Sequence, residues 1–203
     1  ADDIAQTQGP LIEEKFPKLN RCLTGYDLAH LREPDGRFNL NSVLCGAEGS
    51  LGFVVEAELN VLPIPRYAVL VNIRYAAFMD ALRDAQALMA HQPLSIETVD
   101  SKVLLLAMQD IVWASVEPYF PQAPGAPDTR GINLVEFSGD DQGEVDARVA
   151  AFVEHLRTDA SVSRLGHTLA NGHAAVEKVY AMRKRAVGLL GNVQGEARPQ
   201  PFV

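Results

Sequence analysis

Apolar and polar positions follow the same order twice in the second part of the chain: strand, helix, strand. Runs rich in β-branched residues predict the strands, and apolar residues at helical spacing predict the helices between them. The predicted strands are residues 67–75, 94–99, 132–137 and 161–168, and the predicted helices are residues 78–89 and 143–156. This order predicts an α+β fold, a ferredoxin-like antiparallel sheet with two helices on one face.

Further elements lie between and after these two strand–helix–strand units of the sequence. Asp100 can cap a helix through residues 101–116, and residues 118–129, with four prolines and a glycine, predict a loop. A last helix is predicted over residues 172–190, ending at Gly191. In the first predicted helix of the sheet domain, one face is apolar. It carries Phe78, Leu82, Ala85 and Met89.

The first third of the chain is less regular. Gly9 and Pro10 interrupt its first apolar stretch, so we expect a broken helix there, with residues 11–16 as the better part. Two strands with a glycine-rich loop between them follow. The strands are residues 43–45 and 53–62, and the loop is residues 46–52.

Pro63 and Pro65 come directly after the second of these strands. Proline lacks the N–H that a central strand needs for its hydrogen bonds. We therefore expect a domain boundary at this point.

The glycine-rich loop reads Gly-Ala-Glu-Gly-Ser-Leu-Gly over residues 46–52. Glycine reaches positive φ and lets a backbone approach a ligand closely. Such a loop is typical of sites where main-chain N–H groups hold a large cofactor. The alternative is a tight turn without a ligand, because a single glycine-rich turn is a weak signal.

Composition and charge exclude several classes of protein. The chain has 203 residues, of which 47% are hydrophobic and 22% charged, with a net charge of −8. An acidic chain without a basic face does not fit a nucleic-acid partner. No apolar run approaches the roughly 18 residues of a membrane span, and no signal peptide is visible at the first residues. We expect a cytoplasmic protein.

The two cysteines, Cys22 and Cys45, do not have the spacing of metal ligands. We interpret them as free thiols, buried as small hydrophobic residues, in a reducing compartment. No pair of histidines has metal-ligand spacing either, so no metal site is predicted. His30 could face a cofactor, but a surface histidine is the favoured interpretation.

Two motifs together suggest a family. Residues 24–28 read Thr-Gly-Tyr-Asp-Leu, and the loop 46–52 follows after a short spacer. This compound pattern resembles the FAD-linked oxidases of the vanillyl-alcohol oxidase superfamily, in particular the branch of D-lactate, D-2-hydroxyglutarate and glycolate dehydrogenases. The insert at residues 32–37 is similar to that of the long members, which also carry an iron–sulfur domain.

The resemblance implies two domains. Residues 1–65 would be the C-terminal part of an FAD-binding domain, and residues 66–203 a ferredoxin-like substrate (cap) domain, truncated at its C-terminal end. We therefore expect an internal fragment of a larger flavoenzyme that by itself lacks FAD and activity. The implied cofactor-binding residues are Gly25, Tyr26, Gly46, Glu48, Gly49, Ser50, Gly52 and Phe53.

The resemblance also implies a reaction, the FAD-dependent oxidation of a D-2-hydroxy acid to its 2-oxo acid. A hydride would pass from substrate to flavin N5 while a base outside this chain takes the hydroxyl proton, so no catalytic residue is expected here. In the family, the last helix carries an aromatic residue, two further residues and an Arg that pairs with the substrate carboxylate. Tyr180 and Arg183 match this spacing, with Tyr where Trp is usual.

One departure leaves the register open. Lys184 stands where the family usually has an acidic residue, so Arg185 is the fallback for the anchoring position, and Arg198 is a weaker second cation. The expected partners of the intact protein are a small 2-hydroxy acid and an electron acceptor or iron–sulfur domain.

A second interpretation belongs to another functional class. The chain could be a non-catalytic ferredoxin-like ligand-binding or regulatory module, because this fold hosts many unrelated roles. The glycine loop would then be a turn, and the cations near residue 183 a solvated face near a helix C-terminus. A pyrophosphate-binding domain before residue 1 and an Asn-x-His strand after residue 203 would favour the flavoenzyme.

Overall fold

The computed structural model describes residues 2–18, 25–122, 124–125 and 128–191. The chain divides into two compact units, residues 1–62 and residues 63–203. We call them the N-terminal unit and the C-terminal unit.

In its described residues, the N-terminal unit contains two α-helices, α1 (Asp2–Lys15) and α2 (Leu40–Leu44). Helix α1 runs through Pro10, so the predicted break at this position is wrong. A proline removes one main-chain hydrogen bond and bends a helix. The turns before and after Pro10 keep their own hydrogen bonds, and the helix continues through it.

The predicted strand at residues 43–45 is also wrong, because Val43 and Leu44 belong to α2. The side-chain oxygen of Asn39 accepts a hydrogen bond from the Ser42 N–H at 3.3 Å. This N-cap satisfies one of the unpaired donors of a helix start and favours a helix over a strand. Cys45 follows the helix as an exposed free thiol, which corrects its expected burial. Cys22 lies outside the described residues.

Residues 53–62 form no strand, in contrast to the prediction. Their apolar side chains are exposed, with 93% of Phe53, 91% of Val55 and 91% of Leu62 accessible to solvent. A strand needs a neighbouring strand for its N–H and C=O groups. Residues 2–18 and 25–52 supply no such neighbour. The pattern of apolar residues therefore predicted a capacity to form a strand, but not its partner.

The C-terminal unit contains one four-stranded antiparallel sheet. Its strands are β1 (Tyr67–Tyr75), β2 (Ser95–Asp100), β3 (Gly131–Gly139) and β4 (Gly166–Asn171). Their spatial order is β2-β3-β1-β4. Tyr67 lies opposite Gly139, and Val69 lies opposite Asn171, so β1 is paired on both sides. The predicted α+β, ferredoxin-like sheet is confirmed.

Helices cover both faces of this sheet. Helices α3 (Phe78–Leu88) and α5 (Gln142–Thr158) pack on one face, which carries Val71, Ile73 and Phe137. These are the two helices that the sequence predicted between the strands of each strand–helix–strand unit. The opposite face, which carries Leu70 and Leu134, is covered by α4 (Ser101–Met108) and α6 (His173–Leu190). This second layer explains why β1 is apolar at nearly every position rather than at alternate ones.

Helix α4 is shorter than the predicted 101–116. Asp100 caps it as expected, accepting a hydrogen bond from the Val103 N–H at 2.9 Å. It ends at Met108 because Asp110 starts a separate 3₁₀ segment, Ile111–Ser115, through a hydrogen bond from the Val112 N–H. Trp113 and Tyr119 pack against the same core as α4.

Helix α3 buries a different face from the predicted one. Its buried residues are Ala81, Asp84 and Leu88, whereas Leu82 and Met89 are exposed. Asp84 is fully buried because Arg164 and the Tyr75 hydroxyl both donate hydrogen bonds to its carboxylate. The spacing of apolar residues cannot predict a buried face that has a charged residue such as Asp84 at its centre.

Candidate functional site

Within the N-terminal unit, the two sequence motifs are close together. The Tyr26 hydroxyl lies 3.3 Å from the Ser50 hydroxyl, and the Asp27 N–H donates to the Ser42 carbonyl at 3.2 Å. The Asp27 carboxylate also contacts the exposed His30 ring at 2.8 Å. The fold thus brings the Thr-Gly-Tyr motif next to the glycine-rich loop, although Thr24 itself lies outside the described residues.

Gly46 and Gly25 are packed against each other. A Cβ atom built on Gly46 would lie 1.8 Å from the Gly25 carbonyl oxygen, a separation that no side chain can occupy. Gly25 itself has a φ of 103°, which favours glycine. The glycine at position 46 is therefore required by a close approach of two backbone segments.

The second part of the loop presents its backbone to solvent. Glu48 and Gly49 have φ values of 47° and 80°, and no described atom lies within 4 Å of where a Gly49 Cβ would be. Four main-chain N–H groups here donate to no backbone acceptor within the described residues. They are those of Glu48, Gly49, Leu51 and Gly52. Uncommitted donors beside a left-handed turn form a surface that can accept an anionic or strongly polar group.

A cavity of about 300 Å³ lies between the Thr-Gly-Tyr motif, helix α2 and the first residue of the loop. Four of its seven lining residues have polar side chains, and neither the turn at Glu48 and Gly49 nor Phe53 contributes to it. The lining residues are Gly25, Asp27, Asn39, Asn41, Ser42, Cys45 and Gly46. Of the predicted cofactor-binding residues, Gly25 and Gly46 therefore line the cavity, and Tyr26 is linked to the loop through Ser50.

Within the C-terminal unit, Tyr180 of α6 is anchored to the sheet. Its hydroxyl donates to Glu136 Oε2 at 2.7 Å and lies 3.2 Å from the Ser95 hydroxyl. Burial and the nearby carboxylates raise the pKa of the Tyr180 hydroxyl well above its usual range. The phenol therefore stays protonated and keeps Glu136 as its acceptor.

One helical turn further along, Arg183 faces the neighbouring strand. Its Nε lies 2.7 Å from Glu97 Oε2, and the two side chains are 38% and 33% exposed. This carboxylate oxygen is itself buried and accepts no hydrogen bond from the described residues. The contact is thus an ion pair at the Arg183 Nε without an aligned N–H.

The other predicted cations lie elsewhere. Lys184 and Arg185 are exposed, and Arg185 Nε donates to Asp110 Oδ1 at 2.8 Å. This hydrogen bond lowers the pKa of Asp110. Arg185 is therefore engaged beyond the end of α4, away from the Glu97 contact. Arg198 lies outside the described residues.

Glu97 and Glu136, the acidic partners of Arg183 and Tyr180, were not predicted from the sequence. Both interrupt otherwise apolar or β-branched strand segments, in Ser-Ile-Glu-Thr-Val and Leu-Val-Glu-Phe. Ser95 on β2 lies directly opposite Glu136 on β3, and Glu97 lies two residues along on the same face. Acidic residues at inward positions of predicted strands were the available signal.

A second charged cluster occupies the face that carries α3 and α5. Arg164 grips the buried Asp84 through Nε and Nη2, each at 2.6 Å, and also contacts Asp159 at 2.9 Å. Burial and the Asp84 carboxylate raise the pKa of Tyr75, and the Arg164 hydrogen bond lowers that of Asp159. Every charged member is paired inside the unit, which fits a structural role.

Within the described ranges, no three His, Cys, Asp or Glu side chains are placed to hold a metal ion. Among the described helices, none combines the length and apolar character needed to cross a membrane.

Comparison with known proteins identifies the family. Residues 64–203 match the family described as FAD linked oxidases, C-terminal domain. A D-2-hydroxyglutarate dehydrogenase of Pseudomonas putida is 74% identical over 203 residues, which is 100% of this chain and 20% of that protein. Proteins of the same name from Pantoea ananatis and Escherichia coli are 49% and 45% identical over 197 and 199 residues.

Those two alignments cover 95% and 96% of this chain and 19% of each relative. The chain thus spans about one fifth of the length of the relatives that it matches. The family match extends from the start of the C-terminal unit through its sheet and all its helices. The chain therefore belongs to the FAD linked oxidases, and residues 64–203 represent their C-terminal domain.

Proposed function

We propose that the full-length protein is an FAD-dependent oxidoreductase that oxidises D-2-hydroxyglutarate, or a closely related D-2-hydroxy acid, to the 2-oxo acid. The observation that carries this proposal is the family match over the C-terminal unit, together with relatives named D-2-hydroxyglutarate dehydrogenase. An electron acceptor, or an iron–sulfur domain elsewhere in the full-length protein, would then remove the electrons.

The N-terminal unit would contribute one wall of the FAD site. Its residues fit this role because the loop combines uncommitted main-chain donors at Glu48 and Gly49 with Gly46, which lines a cavity together with Gly25. Residues 53–62, which expose their apolar side chains, would pair with the remainder of the FAD-binding domain. When bound, FAD supplies the redox chemistry by accepting a hydride from the substrate carbon.

Arg183 would anchor the substrate carboxylate. Its contact with Glu97 uses Nε, and the guanidinium has two further NH₂ groups that form a planar fork. Such a fork matches a carboxylate with two parallel, charge-assisted hydrogen bonds. The half-buried position of Arg183 favours this role because partial exclusion of water strengthens the interaction between charges.

The test uses the full-length protein, purified with its flavin. D-2-hydroxyglutarate is supplied with an artificial dye acceptor, and the L-enantiomer serves as the stereochemical control. We expect Arg183→Ala to lose about 3–5 kcal/mol in kcat/KM, because the anionic substrate loses its partner. Arg183→Lys should restore only part of this loss, since an ammonium group is a point charge without the fork. Flavin content and melting temperature should change little.

Arg185→Ala is the matched control, since it removes an ion-paired Arg from the same helix. Normal kinetics for Arg183→Ala together with a severe loss for Arg185→Ala would move the anchor two positions along α6. Normal kinetics for both would exclude this helix from the active site. A full-length protein without flavin absorbance or turnover would favour the non-catalytic interpretation.

A further inference from the structure

We propose that Glu97 is a positioning residue that orients Arg183 for the substrate carboxylate. This inference rests on the proposed function, and it assigns a role to an acidic residue on a different element from the anchor. The charge of Glu97 holds the guanidinium at Nε, which leaves the two terminal NH₂ groups available to the substrate.

The position of Glu97 in the sheet permits this role. Strand β2 is an edge strand, bonded only to β3, and Glu97 is on the face covered by α6. One third of its side chain is exposed, so the Arg183–Glu97 pair lies at the margin of the packed core. A substrate can therefore approach the guanidinium without opening the core.

A purely structural role does not account for the geometry. A partly exposed ion pair contributes little to stability, and the entropy of two long side chains opposes it. In addition, the buried Oε2 of Glu97 accepts no hydrogen bond from the described residues, which is unfavourable for a carboxylate. Glu97 thus contributes little to stability, although it contacts Arg183, the residue that matches the substrate-binding Arg of the family motif.

The second carboxylate of this face does not compete for Arg183. Glu136 accepts the Tyr180 hydroxyl at 2.7 Å, and the raised pKa of Tyr180 keeps that donor in place. Tyr180 and Arg183 therefore each have their own acidic partner. Because Glu97 already restricts the long Arg183 side chain, less conformational entropy is lost when a carboxylate binds.

The variant that tests this is Glu97→Gln in the full-length flavoprotein, which keeps the size of the side chain and removes its charge. We expect the KM for D-2-hydroxyglutarate to rise on the order of tenfold, with kcat changed less than about twofold, since a held anchor improves binding. The inhibition constant of the 2-oxo acid product should rise by the same factor. Flavin content and melting temperature should stay unchanged.

Glu154→Gln is the matched control. It removes a carboxylate that lies 2.7 Å from an Arg, as in the Glu97 pair, but on the exposed side of α5. It should leave both KM and kcat as they are.

A double-mutant cycle distinguishes positioning from structural support. In an Arg183→Ala background, Glu97→Gln should add no further change in KM, because the residue it orients is gone. An equal rise in both backgrounds would overturn the proposal, as would an unchanged or lower KM for Glu97→Gln alone, or a loss of flavin. These results leave the anchoring role of Arg183 intact, whereas normal kinetics for Arg183→Ala would instead remove the proposed function of that residue.

Discussion

Replacement of Arg164 by Met tests what holds the C-terminal unit together. Arg164 is 6% exposed at its side chain and donates two hydrogen bonds of 2.6 Å to Asp84, whose side chain is fully buried. Without Arg164, the buried carboxylate keeps only the Tyr75 hydroxyl as a strong donor. Removal of one partner from a buried pair costs about 3–5 kcal/mol, because the other charge remains uncompensated. We expect Arg164→Met to destabilise the unit by this amount.

Removing both charges should have the opposite outcome. A buried ion pair is often replaced by well-packed apolar residues at little or no cost, since the penalty for taking two charges out of water disappears. The double variant Arg164→Met with Asp84→Leu should therefore be more stable than Arg164→Met alone. Arg157→Met is the control, because Arg157 pairs with Glu154 on an exposed face and its loss should hardly shift the unfolding midpoint.

Urea unfolding of the 203-residue chain, followed by tryptophan fluorescence, measures these differences. Trp113 is the single tryptophan, and its ring stacks on Phe120 at 5.8 Å within the core of the C-terminal unit. The signal therefore reports on this unit. The reasoning is refuted if Arg164→Met stays within about 1 kcal/mol of the parent chain, or if the double variant is no more stable than the single one.

Two further predictions concern the glycine loop and the acidic limb of stability. Gly46→Ala places a Cβ 1.8 Å from the Gly25 carbonyl oxygen and should lower the FAD occupancy of the full-length protein, measured as the ratio of flavin to protein absorbance. Gly188→Ala is the control, because its Cβ would meet no atom within 4 Å, and it should keep full occupancy. Equal occupancies for the two variants would contradict this prediction. The Arg164 and Ser161 hydrogen bonds lower the pKa of Asp159, so its ionised form stabilises the fold above a pH of about 4 and this contribution is lost at lower pH. Asp159→Asn should therefore flatten the fall of the urea midpoint between about pH 5 and pH 2, and identical slopes would exclude that contribution.

The sheet domain was largely predictable because its elements carry strong local signals. The β-branched run of β1, the amphipathic pattern of α5 and the cap at Asp100 each suffice to identify an element. The buried face of α3 was not predictable, because Asp84 becomes a core residue only through Arg164, which is distant in the sequence. The spacing of apolar residues predicts which hydrophobic side chains are buried, but it does not predict which charged side chains are buried as ion pairs.

For the candidate site, the sequence located α6 and the pair Tyr180 and Arg183, but the anchoring role of Arg183 stays a prediction. Their acidic partners on β2 and β3 were missed, since contacts across a sheet depend on strand register rather than on spacing along the chain. The strand predicted at residues 53–62 failed for a related reason. Strand formation is a property of two segments, and the sequence of one segment does not contain the other.

The order of the strands also determines how the C-terminal unit is made during synthesis. Strand β1 leaves the ribosome first, yet its two partners are β3, residues 131–139, and β4, residues 166–171. At roughly 5–20 residues per second, β1 waits on the order of 5–20 s for its last partner. Until β4 is made, one edge of β1 stays unpaired, although the apolar residues of this strand are later buried on both faces. Such long-range pairing slows folding and leaves an apolar segment exposed, so we expect β1 to be a site of aggregation or chaperone binding in the nascent chain.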